Sequence, residues 1–368
     1  MVSRLAGLLF VFFIFLIVAS SYGWLTAVNC WRRGKSLLGC WPRRPVPWGL
    51  VDIGLTLICL VVLLASAVQI LFRIGGIPAG TAWTRMPVEF RTWMMLAESL
   101  VNVAVVVFCL LLIRLRVGAT WKDIGVVSAL LRADFMLGVF AFIMIAPPVY
   151  LLQWMLVQWF ESKHPLVELL QQHPNPWTIG VSLFAAVIVA PIAEEFVFRG
   201  LLQGWLEKVA MEMHEWKRSF AQPTVSGTGN ASAMASDASS HWADGTESIR
   251  AEETEVYSER GIVESEERLD APWNSFHASV ETRPPVLLAF DPAACRAVWP
   301  ILVSSIIFAL LHWSHGPDWV PLFFLAVGLG YLYRQTHRIV PGIVVHFLLN
   351  AVSMGMFLVE LMNRGAAR

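Results

Sequence analysis

Apolar runs of roughly membrane length alternate along the chain with short breaks that are basic, polar or proline-containing. A helix needs about 20 mostly apolar residues to cross a bilayer. On that measure the pattern predicts eight spans, at about 5–25, 48–72, 93–113, 135–157, 177–200, 297–313, 318–334 and 339–362. The sixth is short and the seventh holds Gly328 and Gly330. Pro147 and Pro148 predict a kink in the fourth, because each removes a helix donor. The expected fold class is all-α, a polytopic membrane helix bundle of about eight transmembrane helices.

One segment breaks the alternation. Residues 207–295 are rich in Ser, Gly and Glu and poor in large apolar residues, as in "SGTGNASAMASDASSHWADGTESIRAEETEVYSERG". Such a segment buries too little surface to offset its ordering entropy, so a mostly disordered polar insertion is expected there. Its end, "PPVLLAFDPAACRAVW", is apolar enough to lie on a membrane surface. The chain then divides into N-terminal helices (1–176), a second helical group (177–206 and 296–362) and the insertion between its two parts.

Basic residues orient the helices. Cytoplasmic loops carry an excess of Lys and Arg. The 31–44 loop, with Arg32, Arg33, Lys35, Arg43 and Arg44, is therefore expected inside. Alternation then puts Arg114, Arg116, Lys122, Arg132, Arg334 and Arg338 inside and both termini outside. Arg73, Arg85 and Arg91 fall outside, so the bias is moderate. The first run also resembles a signal peptide, with Arg4, an apolar stretch and then Ala19, Ser20 and Ser21. Cleavage there would strand the basic 31–44 loop outside. The insertion comes out cytoplasmic, so the Asn230-Ala231-Ser232 sequon carries no weight.

Composition agrees with a membrane protein: 57% of residues are hydrophobic and 15% charged, against roughly 25% charged in soluble domains. Formal net charge is zero, which leaves no basic surplus for nucleic acid. Cys59 and Cys109 sit in apolar runs and read as small buried hydrophobes. Cys30 and Cys40 flank the basic loop, and Cys295 closes the insertion. No CxxC pair suggests thiolate zinc.

The chemistry is in the charges inside the apolar runs. "VIVAPIAEEFVFRGLL" (187–202) places Glu194, Glu195 and Arg199 at bilayer depth. A charge there costs about 2.5–3.5 kcal/mol on insertion scales and by default marks function and has a partner. Glu195 and Arg199 are four apart and share a helix face. Glu194 is turned from Glu195 by about 100°, which leaves its carboxylate for another task. "SSIIFALLHW" puts Phe308 and His312 one turn apart, and "PGIVVHFLLN" does the same for His346 and Asn350. Polar side chains from three apolar helices must meet in the bundle interior. Singly, each has a plainer reading as a hydrogen-bonded core residue or a structural ion pair. His315, before Gly316-Pro317, reads as a loop residue. Glu98 and Asn102, in the third span, form a further polar pair suited to an interhelical hydrogen bond or a cavity wall.

Read together, "EEFVFRG", "FALLH" and "HFLLN" fit EExxxR, FxxxH and HxxxN. In order and spacing they resemble the CPBP intramembrane proteases, which include the Rce1-type CAAX prenyl endopeptidases and bacterial abortive-infection proteins. The resemblance covers about residues 177–360, and the long insertion departs from its compact pattern. It implies a glutamate-dependent endopeptidase in a bacterial cell membrane, acting on a membrane-associated protein or peptide. Glu194 would be the general base, with His312 polarising the water. His346 and Asn350 would donate to the oxyanion, and Glu195 and Arg199 would lock the helix, with Phe308 in support. A carboxylate in a dry site is a stronger base than in water. No cofactor is implied. A divalent metal held by Glu194, His312 and His346 is the alternative, although HExxH and ExxH spacings are absent. A proton-coupled transporter and a non-catalytic scaffold or immunity protein are the other readings. His312 poses a question of depth, because it ends the sixth span while Glu194 lies within the fifth.

Overall fold

The computed structural model describes residues 2–41, 45–78, 81–160, 165–221 and 297–366. Most of the described residues are helical, with no strand among them. The long helices are α1 (Val2–Arg32), α2 (Leu50–Ile74), α3 (Val88–Val117) and α4 (Leu131–Val157). After them come α5, which runs in consecutive pieces from Pro176 to Ala221, then α6 (Trp299–Leu311), α7 (Trp319–Thr336) and α8 (Val340–Ala366). Every expected span falls on one of these helices. Pro147 and Pro148 both lie inside α4.

The expected count of eight spans is not confirmed. Among the described residues, six helices are long and apolar enough to cross a membrane, namely α1 to α5 and α8. The sixth run forms a helix of only 13 residues. At 1.5 Å per residue it reaches about 20 Å, short of the roughly 30 Å hydrocarbon core. α7 has 18 residues and is not among the six, and Arg334 and Gln335 occupy its last turn.

Helix ends agree with the expected alternation. Asp52 in the first turn of α2 pairs with Arg116 in the last turn of α3, at 3.3 Å. Asp134, in the first turn of α4, pairs with Arg338 between α7 and α8, at 2.9 Å. Ile339 N–H donates to Gly125 O across the same end. Burial draws the Arg338 guanidinium below its usual range, and the Asp134 carboxylate partly reverses this.

α5 is the central helix. Half of its most apolar window is buried inside the protein, against 6% for α2. Leu16, Phe142, Leu325, Leu329, Val345 and Leu349 join α1, α4, α7 and α8 in one buried cluster. Gly330 lets α7 approach α5 closely, since a Cβ there would stand 2.9 Å from the Gln203 side chain. Outer faces stay apolar, as at Leu115 and Ile74. Glu98 lines a cavity of about 60 Å³ between α2 and α3, with Leu64, Leu71 and Trp83.

Of the expected insertion, Glu207 to Ala221 are helical. Residues 222–295, including the Asn230 sequon, Cys295 and most of the apolar stretch ending at Trp299, lie outside the described residues. Residues 216–221 are the described part of a second unit. There the Trp216 and Phe220 rings meet edge to face at 4.7 Å.

Candidate active site

The site is assembled on α5, and α5 is irregular where the charges stand. Asn175 caps its start by accepting from Thr178 N–H, with Pro176 in the first turn. Two stretches, Phe184–Val189 and Glu195–Gln203, are π-helical, and Ala190–Glu194 between them is α-helical. π-turns are rare and gather at functional sites. Carbonyls in an apolar surrounding need donors, and here side chains from elsewhere in the chain supply them. Asn350 Nδ2 donates to Ala186 O at 2.7 Å. Ser304 Oγ donates to Phe198 O at 3.0 Å. Trp48 Nε1 donates to Leu201 O at 3.2 Å. The wide turns are thus held by tertiary contacts. Ser304→Ala should cost about 1–3 kcal/mol by leaving Phe198 O without that donor. Thermal unfolding in detergent reads this cost, and an unchanged midpoint would show that the carbonyl is otherwise satisfied.

The two glutamates part as their different facing requires. Glu195 is sealed from solvent, while a quarter of the Glu194 side chain is accessible. Arg199 Nη1 lies 3.2 Å from Glu195 Oε1, and both side chains are buried. Arg199 also donates to Ala326 O at 3.4 Å and stands over the Phe308 ring at 4.9 Å.

His346 is set between the carboxylates, an arrangement absent from the sequence reading. Its Nδ1 is 3.4 Å from Glu195 Oε1, and its Nε2 is 3.7 Å from Glu194 Oε2. Both distances are longer than an ordinary hydrogen bond. So Glu195 serves Arg199 and His346 together, and Glu194 faces the same imidazole from the open side.

Phe308 gathers the remaining groups. It is fully buried. Its ring lies 4.8 Å from His312, 5.1 Å from Phe198 and 6.2 Å from His346. His312 caps α6, with Nδ1 2.9 Å from Phe308 O. The Phe308 ring lies against both imidazoles, so His312 and His346 stand at a common level of the bundle. His315 falls in the 3₁₀ turn Trp313–His315, outside the helix as expected. Asn350 sits one turn beyond His346 and reaches the first π stretch of α5.

Among the described residues, no three His, Cys, Asp or Glu side chains gather into a metal-ligand set. Glu194 and His346 meet, but Glu195 is engaged by Arg199 and the His312 Nδ1 faces a carbonyl.

The sequence reading missed Ser304 and Trp48. Ser304 was visible as the residue one turn before Phe308. Nothing in composition marked the π stretches.

No curated protein and no solved structure gives a significant match to this chain. Residues 176–234 and 285–352 match the family model of the Rce1-like type II CAAX prenyl endopeptidases. This is the family that the three motifs resemble, and Glu194, Glu195, Arg199, Phe308, His312, His346 and Asn350 all fall within the matched segments.

Proposed function

We propose that this protein is an intramembrane endopeptidase in which Glu194 activates water for attack on a peptide bond of a membrane-associated substrate. The observation that carries the reading is the unequal pair of glutamates at one imidazole. Glu195 is sealed and paired with Arg199, whereas Glu194 keeps an accessible edge. A base must reach the proton it removes. Only the accessible carboxylate can meet a water and a substrate carbonyl together.

The steps follow from that placement. Water adds its oxygen to the carbonyl carbon and passes one proton to Glu194, with His312 polarising the same water. The carbonyl oxygen takes up negative charge and receives hydrogen bonds from His346 and Asn350. The C–N bond then breaks, and Glu194 returns its proton to the leaving amine. Asn350 has two N–H donors. One is given to Ala186 O, which orients the amide and leaves the other for the oxyanion. Removing one such donor lowers rates by about 10²–10³-fold, so Asn350→Ala should lose activity on that scale at little change in KM.

The substrate class comes from the family match, and CAAX-type C-termini are the first to try. The test is cleavage by purified protein in detergent, on membrane peptides with and without a prenylated CAAX end, each with and without chelator. The mechanism predicts cleavage that survives chelation. Inactivation by chelator, restored by one divalent ion bound at about one per chain, would instead make Glu194, His312 and His346 ligands. His346→Ala separates the two further: a lost ligand is partly rescued by excess metal, a lost oxyanion donor is not.

A further inference from the structure

Gly342 stands in the first turn of α8, one turn before His346. Its φ lies outside the left-handed region, so backbone conformation does not call for glycine. Space does. A Cβ at this position would lie 2.6 Å from Glu195 Oε2 and 3.4 Å from Glu195 Cδ. The missing side chain of Gly342 is the room that the Glu195 carboxylate occupies. The same carboxylate meets Arg199 at 3.2 Å and His346 Nδ1 at 3.4 Å. It also lies over the first turn of α8, where helix N–H groups favour negative charge.

We infer that Gly342 is a positioning residue: it seats the Glu195 carboxylate, and through it sets the orientation of the His346 ring. This deepens the proposed function and rests on it for any effect on rate. A carboxylate at the far ring nitrogen is a known means of fixing the orientation of a functional imidazole. A methyl group at 342 meets the end of a side chain rather than backbone. The expected consequence is therefore displacement of the carboxylate, with the helix retained. Alanine also has the higher helix propensity.

The test compares Gly342→Ala with Gly355→Ala, a glycine of the same helix with open space around its Cβ. Histidine ¹⁵N NMR of the full chain in detergent, with the His346 signal assigned by its loss in His346→Ala, reads the ring directly. Gly342→Ala should shift the Nδ1 signal of His346, and Gly355→Ala should leave it alone. In the peptide assay Gly342→Ala should lower kcat by about 100-fold, the scale of a 1 Å misplacement, with KM nearly unchanged. Glu195→Asp withdraws the carboxylate by one methylene. Combined with Gly342→Ala it should recover rate and NMR pattern relative to Gly342→Ala alone, a non-additive pair. An unchanged His346 pattern in Gly342→Ala overturns the inference, and so does a loss that Glu195→Asp does not relieve. If the wild type cleaves nothing while the NMR responses hold, the protease reading fails and the positioning role stands.

Discussion

Glu194→Gln is expected to lower peptide cleavage by about 10²–10⁴-fold, the contribution of a general base. The variant should remain folded in membranes. Glutamine matches glutamate in size, and a quarter of this side chain is accessible, so packing changes little. What is lost is the capacity to take a proton from water. Glu195 cannot substitute, because it is sealed, with Arg199 and His346 against it. The control is the thermal midpoint in detergent, which should stay near wild type while turnover collapses. Turnover near the wild-type level would remove Glu194 as the base.

Arg199→Ala should do the opposite, harming stability first. Arg199 is 1% exposed and Glu195 fully buried. Breaking such a pair from one side leaves an uncompensated buried charge and costs about 3–5 kcal/mol. The stack on Phe308 at 4.9 Å and the bond to Ala326 O are lost with it. Rate should fall as well, since Glu195 also faces His346. Arg199→Lys keeps a charge but not the planar donor array, so it should lie between wild type and alanine. Arg199→Ala combined with Glu195→Gln should be more stable than Arg199→Ala alone, because the orphaned carboxylate is gone. Denaturation in detergent measures all three. A variant as stable as wild type but slow would mean that Arg199 contacts substrate.

Much of this could be read from residues alone. Apolar runs of membrane length have few structures open to them, so the helices were legible. Glu194, Glu195, Arg199, His312, His346 and Asn350 were legible because polar groups in such helices have nowhere to go but the interior. The length of α6 was less so: the expected span ran to about 313, but the helix stops at Leu311 and His312 leaves the α region. The π stretches were not legible. Their carbonyls take donors from Trp48, Ser304 and Asn350, which lie 153, 106 and 164 residues away along the chain. The place of His346 between two carboxylates depends on the same packing. Gly342 shows the limit well: in sequence it reads as a weak helix former, and only the carboxylate beside it explains it.

The central claim is that this bundle hydrolyses a peptide bond with water activated at Glu194. Its most direct test is mass spectrometry of a membrane peptide incubated with purified wild-type protein in ¹⁸O-labelled water, beside Glu194→Gln. One cleavage site, one ¹⁸O in the new C-terminal carboxylate, and little product from the variant are expected. Intact peptide across the whole panel, or equal labelled product from wild type and Glu194→Gln, would contradict the claim.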